Sequence, residues 1–168
     1  MKKLWIALAV VLVGGLSTFG TMAFASDDDD EFRAQLNGNN EVNSKSTVAR
    51  GSFRAELDDG VIKYRLSYAN IETPAFASHI HFSQQHVNGG IIAFLCGGGG
   101  KDPCPPTTGT VTGEIDPADI IGPADQGIEP LSFAEAVRAM RAGATYVNVH
   151  SNRWTGGEIR GQIKSDDD

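Results

Sequence analysis

The four histidines of this chain fall at two places in the sequence. His79 and His81 are separated by one residue, His86 follows shortly after them, and His150 lies near the C-terminal end. In a β-strand, residues i and i+2 project from the same face, so His79 and His81 can direct two imidazoles at one ion. Neutral imidazole is a ligand that both copper and zinc accept. The histidines therefore predict a transition-metal site made of His79, His81 and His150, with His86 as an optional fourth ligand.

Copper is the favoured ion and zinc the alternative, because copper(II) binds more tightly in the affinity order of the divalent metals. Metal-bound histidines usually donate their second ring N–H to a carboxylate or a carbonyl. Asn148, Glu158 and Asn88 are candidates for this supporting role. The competing interpretation is that the histidines are hydrogen-bonded polar residues of the fold and bind no metal.

The two cysteines enclose a glycine-rich segment. Cys96 and Cys104 flank residues 97–103, which include four consecutive glycines. In an exported protein such a pair favours a disulfide, which would pin a segment too flexible to hold one shape unaided. Thiolate ligation of copper is the alternative.

The N-terminal residues have the pattern of a secretory signal peptide. Lys2 and Lys3 precede an apolar run over residues 4–13, and Ala23 and Ala25 provide a small-residue cleavage site. The run is shorter than the roughly 20 residues needed to span a bilayer. We therefore predict a signal peptide over residues 1–25 and a secreted, periplasmic or cell-surface protein. A retained N-terminal anchor is the alternative.

Charge and length restrict the partners and the number of domains. The net charge of −7 disfavours nucleic acids and anionic lipid surfaces as partners. Acidic residues are concentrated at the ends, so we expect a disordered acidic tail at residues 26–31 and a second acidic tail at residues 164–168. Residues 32–163 are enough for one domain with its own core.

Short alternating segments separated by turn residues predict an all-β fold. The Asp-Asp-Gly sequence at residues 58–60, between two alternating runs, predicts a tight hairpin. Ser132 and Glu135 form a capping-box pattern that predicts one short helix ending before Gly143. We expect a Greek-key β-sandwich of seven or eight strands with this helix. The predicted strands cover residues 32–36, 51–57, 62–68, 77–82, 91–95, 108–115, 144–150 and 158–163.

Several motifs, in the same order along residues 32–163, resemble those of the chordin-domain (CHRD) family. They are Leu-Asn-Gly-Asn-Asn-Glu-Val at 36–42, His-Ile-His-Phe at 79–82, Asn-Gly-Gly at 88–90, Phe-Leu-Cys at 94–96, Tyr-Val-Asn-Val-His at 146–150 and Gly-Glu-Ile-Arg-Gly-Gln at 157–162. The family was recognised in chordin, an extracellular growth-factor antagonist. The resemblance thus implies an extracellular domain but no particular chemistry.

A weaker similarity is to the copper-zinc superoxide dismutases. These exported sandwiches have a His-x-His strand, a later histidine and an arginine in a glycine-rich terminal strand, which correspond here to His79, His81, His150 and Arg160. The similarity implies an enzyme in which Arg160 attracts a small oxygen anion to redox-active copper. The alternative is that Arg160 belongs to a solvent-facing polar row of its strand.

Two functional hypotheses follow. The first is an exported metal-binding protein, with superoxide dismutase-like activity as an extension. The second is an extracellular module without metal that binds a protein or a glycan, or serves a structural role. For the second we expect an exposed aromatic patch around Trp154 and Tyr146. The chain contains neither a Gly-x-Ser-x-Gly nucleophile motif nor a phosphate-binding loop.

Overall fold

The computed structural model describes residues 30–165. The predicted signal peptide, residues 1–25, lies outside this range, as do residues 166–168. The regular elements within it are β1 Glu31–Asn37, β2 Arg50–Asp58, β3 Val61–Ala69, β4 Ala75–Phe82, β5 Gly90–Cys96, β6 Gly109–Ile115, α1 Phe133–Arg141, β7 Thr145–Ser151, β8 Ile159–Gln162 and β9 Lys164–Ser165, with short 3-10 helices at Gly38–Asn40, Pro117–Asp119 and Ala124–Gln126. The prediction of an all-β fold with one short helix is confirmed.

The strands form one antiparallel, barrel-like sheet. Their order is β5-β4-β7-β8-β1-β2-β3-β6, and β9 pairs with β1. The sheet curls until its two ends approach, and the Tyr64 hydroxyl of β3 donates to the Leu95 carbonyl of β5 over 2.7 Å. The described part of the chain thus has nine strands, against the seven or eight expected. The additional strand is β9, whose two residues pair with β1.

The hairpin between β2 and β3 forms as predicted. Asp58 lies opposite Val61, and the two residues between them have positive φ, 47° at Asp59 and 79° at Gly60. A two-residue turn with this conformation matches the twist of the paired strands, and Asp-Gly favours it because Gly accepts positive φ without strain. The turn fixes the register of β2 against β3, and therefore which side chains of both strands face outward.

The sheet has an apolar inner face and, over β4, β7 and β8, a buried polar outer face. Val147 and Val149 of β7 belong to the core, while Tyr146, Asn148 and His150 alternate with them and point the other way. Every residue of β7 is nevertheless buried. Loops must therefore cover the outer face of this part of the sheet, and the layer between sheet and loops is polar.

Helix α1 begins and ends close to the predicted positions and packs Val137 and Met140 against the core. The predicted capping box is wrong. Ser132 has φ −80° and ψ 67°, and its side chain makes no cap hydrogen bond in the described chain. This backbone conformation is not the extended one that aims a capping side chain at the helix N–H groups. Glu135 instead pairs with Arg138 one turn along the helix.

Regular structure is present on both sides of residues 32–163. Asp30 pairs with Arg141 of α1, and β1 begins at Glu31. Lys164 and Ser165, which belong to the predicted C-terminal tail, form β9.

The predicted disulfide between Cys96 and Cys104 is confirmed. It joins the end of β5 to the segment that leads into β6, and it fits an oxidising compartment. Among the helices of residues 30–165, none is long and apolar enough to cross a membrane.

Candidate metal centre

Three of the four histidines converge on one point, as predicted. His79 and His81 project from the same side of β4, with ring centroids 5.3 Å apart. The ring of His150, on β7, lies 4.8 Å from that of His79 and 6.2 Å from that of His81. One ligand nitrogen from each of the three lies within 4.8 Å of the others. All three side chains are buried.

The pairing of β4 with its neighbours produces this convergence. On the β7 side, His79 lies opposite Asn148 and His81 opposite Tyr146. On the β5 side, the register shifts just before each of the two histidines, between Ser78 and His79 and again before His81. Such irregularities bend a strand and redirect its side chains. Residues far apart in sequence are thereby brought to one small region of the outer face.

Hydrogen bonds to backbone carbonyls determine which ring nitrogens carry protons. His81 Nδ1 lies 3.0 Å from the Gly89 carbonyl, and His150 Nδ1 lies 2.9 Å from the Thr155 carbonyl. Because a carbonyl can only accept, both Nδ1 atoms must donate, and the neutral rings present unprotonated Nε2 atoms to the cluster. His79 Nδ1 lies 3.0 Å from His150 Nε2 and is then the donor of that bond.

Aromatic rings enclose the histidines and remove them from water. Phe94 of β5 meets the His79 ring edge-on with centroids 4.4 Å apart, and Tyr146 stacks on His81 at 4.7 Å. Burial, reinforced by the other two imidazoles, lowers the pKa of His79 to about 3. Burial also lowers the pKa of His81 to about 4 and lowers the pKa of His150. All three rings are therefore neutral at pH 7, the form that binds metals.

Two buried polar atoms at the centre have no hydrogen-bond partner among the described residues. They are His81 Nε2 and Asn148 Oδ1. Leaving a buried acceptor unsatisfied costs about 1 to 3 kcal/mol, and folded proteins rarely tolerate it without a reason. His81 belongs to the cluster whose ligand nitrogens lie within 4.8 Å of one another, and an ion bound there would use such a lone pair.

Arg160 is a buried cation that secures the loop over the centre. It is 1% exposed, and its guanidinium carbon lies 3.3 Å from the centroid of the Tyr146 ring. It donates to Asn88 Oδ1 over 3.2 Å and to the Val87 carbonyl over 2.7 Å. The solvent-facing alternative for Arg160 is wrong, because residues 83–89 fold over β8. The same loop supplies the Gly89 carbonyl that orients His81.

Glu41 is a second buried charge-bearing group beside this layer. Its side chain is 4% exposed, and Oε1 lacks a hydrogen-bond partner among residues 30–165. Burial raises the pKa of Glu41 to about 7, although Arg160 and Lys45 act in the opposite direction. A Cβ at Gly157 would lie 2.3 Å from Glu41 Oε1, and Gly157 has φ +119°, so glycine is required there.

Comparison with protein families identifies the domain that builds this centre. The model of the CHRD domain matches residues 32–163. The chain belongs to the CHRD-domain family. The matched range contains all three clustered histidines together with Arg160, Tyr146 and Glu41. Searches of curated proteins and of solved structures found no match.

The remaining predicted site residues occupy different positions in the CHRD domain. Glu158 is buried, and its carboxylate accepts hydrogen bonds from Thr47 Oγ1, Ser151 Oγ and the Glu72 N–H. It thus ties three segments together, while the Thr155 carbonyl holds His150. Asn148 lies beside His79 and His81 on the adjacent strand.

His86 lies outside the cluster. It is exposed on the loop of residues 83–89, with φ 65°, and is not among the grouped ligands. Asn88, on the same loop, receives a hydrogen bond from Arg160.

The aromatic patch expected for a binding module is absent around Tyr146 and Trp154. Tyr146 is 2% exposed, because it faces the histidines. Trp154 is partly buried between two cations, Lys45 at 5.5 Å and Arg153 at 5.0 Å from its ring, and donates to Glu72. This expectation for the CHRD domain is therefore wrong.

Three residues in or beside this polar layer, Tyr146, Phe94 and Glu41, were not predicted from the sequence. The alternation of side chains along β7 could have placed Tyr146 on the same face as His150, because an even number of residues separates their positions in the strand. No local sequence pattern indicates the positions of Phe94 and Glu41. Phe94 is brought to this layer by the pairing of β5 with β4, and Glu41 lies on a loop after the first 3-10 helix.

The raised pKa of Glu41 predicts a pH dependence of stability. The folded state retains a proton that the unfolded chain releases near its ordinary pKa of 4.5. This stabilisation is complete below that pH and is lost as the pH rises through about 7. We expect the metal-free wild type to lose about 2 to 3 kcal/mol of unfolding free energy relative to Glu41→Gln between pH 5 and pH 8. Urea unfolding of both proteins measures this difference; parallel pH curves would contradict it.

Proposed function

We propose that this protein binds one transition-metal ion through His79, His81 and His150, with copper favoured and zinc as the alternative. The observation that carries the proposal is the grouping of three buried imidazoles, whose ligand nitrogens lie within 4.8 Å of one another; in addition, His81 Nε2 meets no hydrogen-bond donor at good geometry among residues 30–165. Without a ligand this atom is a cost to the fold. When a metal ion is bound, each of the three rings donates a nitrogen lone pair to it.

The donor set favours copper over zinc. Three neutral imidazoles without a thiolate suit either ion, and copper(II) is the tighter binder in the affinity order of the divalent metals.

The surrounding residues have the role expected of a metal site's supporting shell. The carbonyls of Gly89 and Thr155 hold His81 and His150 in the tautomer with a free Nε2. Such contacts orient ligands before the ion arrives and strengthen binding. His79 needs only to transfer its proton from Nδ1 to Nε2, since the hydrogen bond to His150 is replaced by shared ligation.

Export is part of the proposal. The signal-peptide pattern of residues 1–25 and the disulfide between Cys96 and Cys104 both support an oxidising compartment outside the cytoplasm. In such a compartment the cysteines are unavailable as copper ligands, which leaves the histidines as the nitrogen donors that copper or zinc accepts.

Metal titration with matched histidine variants tests the binding. Metal-free protein is incubated with excess copper(II), desalted and analysed for metal content. We expect about one equivalent in the wild type and in His86→Ala, because His86 lies on the exposed loop outside the cluster, and little in a His79→Ala/His81→Ala variant. Circular dichroism checks that each variant is folded. Equal copper content in the double variant and the wild type would contradict the proposal.

Superoxide dismutase-like activity is a second candidate, favoured by the cation near the site. Arg160 stacks on Tyr146, which in turn stacks on His81, so a fixed positive charge lies behind the imidazoles. A positive potential attracts anions such as superoxide. We expect the copper-loaded protein to remove superoxide faster than an equal concentration of copper bound to EDTA. If the two rates are equal, the redox extension fails and metal binding alone remains.

A further inference from the structure

A row of four cations crosses the outer face of the sheet, away from the histidines. Arg33 of β1 lies directly opposite Arg54 of β2, and Arg54 lies opposite Arg65 of β3. On the other side of β1, Arg33 lies opposite Lys164 of β9. All four are exposed. With strands about 4.8 Å apart, the row extends over roughly 14 Å.

This arrangement opposes stability. Like charges that lie directly opposite each other destabilise a sheet, and the chain as a whole has a net charge of −7. Within the described residues, neither Arg54 nor Arg65 has an ion-pair partner within 4.0 Å. Solubility does not explain the row either, because acidic residues supply most of the surface charge. A ligand that bears negative charge would offset the repulsion.

The neighbouring row on the same face is polar and uncharged. Gln35 lies opposite Ser52, Ser52 opposite Ser67, and Ser67 opposite Thr110. The hydroxyls of Ser67 and Thr110 are 2.9 Å apart, and each retains capacity for another hydrogen bond. The outer face thus places hydroxyl and amide groups alongside the cations, and the two rows share strands β1, β2 and β3.

A depression among the arginines gives an anionic group a place to bind. It has a volume of about 310 Å³, and its charged lining consists of Arg33, Arg54 and Arg65 together with Glu31, Glu56 and Lys63. The two carboxylates lie one row away from the arginines, on the side opposite the neutral row. An anionic ligand is therefore directed from the arginines toward the hydroxyls.

We propose that this face binds a linear acidic polysaccharide that runs across the strands. Its carboxylate or sulfate groups pair with the guanidinium groups, which match such anions with two parallel hydrogen bonds. Its hydroxyls contact the neutral row. A single-stranded nucleic acid fits less well, because that class of ligand relies on aromatic stacking platforms, and neither row contains an aromatic residue. The proposal does not depend on metal binding.

Binding to a matched pair of polymers tests it. EDTA-treated protein is titrated at low ionic strength with polygalacturonate and with its fully methyl-esterified, uncharged form; dextran sulfate and dextran form the sulfated pair. We expect the wild type to bind the charged member of at least one pair and neither neutral polymer. An Arg54→Gln/Arg65→Gln variant should bind about tenfold more weakly, a loss of roughly 1.4 kcal/mol. Added salt should weaken wild-type binding.

The control removes two arginines elsewhere. Arg138→Gln/Arg153→Gln changes the net charge equally, but these residues lie on α1 and in the loop before β8. We expect its affinity to match that of the wild type, and copper binding to be unchanged in both variants. Equal affinity of the Arg54→Gln/Arg65→Gln variant and the wild type would overturn the proposal. So would a failure of both charged polymers to bind, or tighter binding of oligothymidine.

Discussion

The contact between the Arg160 guanidinium, the Tyr146 ring and the loop of residues 83–89 supports the whole histidine centre. A buried arginine is costly unless its N–H groups are satisfied, and here the loop backbone and Asn88 satisfy them. The loop is thereby held against the sheet, and its Gly89 carbonyl fixes the tautomer of His81. A Cβ at Gly89 would lie 1.7 Å from the Phe82 carbonyl, so the approach requires glycine.

The position of this layer explains its chemistry. The barrel core is filled by apolar side chains, and the polar layer lies on the opposite face of β4, β7 and β8, between the sheet and its covering loops. Burial there keeps the three imidazoles neutral and stabilises the protonated form of Glu41. Burying these polar and ionisable groups costs folding stability, but it also keeps the imidazole lone pairs free to bind a ligand. Perturbed ionisable groups of this kind cluster at functional sites.

Local patterns predicted most of the fold, because alternation and turn residues act over a few positions. The Asp-Gly turn after Asp58 and the shared face of His79 and His81 both follow from a strand period of two. The burial of Arg160 could not be predicted in this way. The polar and apolar residues of β8 alternate as they would in a strand with one exposed face. Arg160 is buried only because residues 83–89, which are distant in sequence, fold over that face. Glu41 was missed for the same reason, since its neighbours come from distant segments.

Diffraction at the copper absorption edge, from crystals of the copper-loaded protein, tests the histidine centre most directly. The anomalous signal locates the ion without assumptions about its ligands. We expect one peak about 2.0 Å from His79 Nδ1, His81 Nε2 and His150 Nε2, with the Nδ1 atoms of His81 and His150 still donating to the Gly89 and Thr155 carbonyls. A peak at His86 or at surface carboxylates, with the three clustered histidines unliganded, would contradict it.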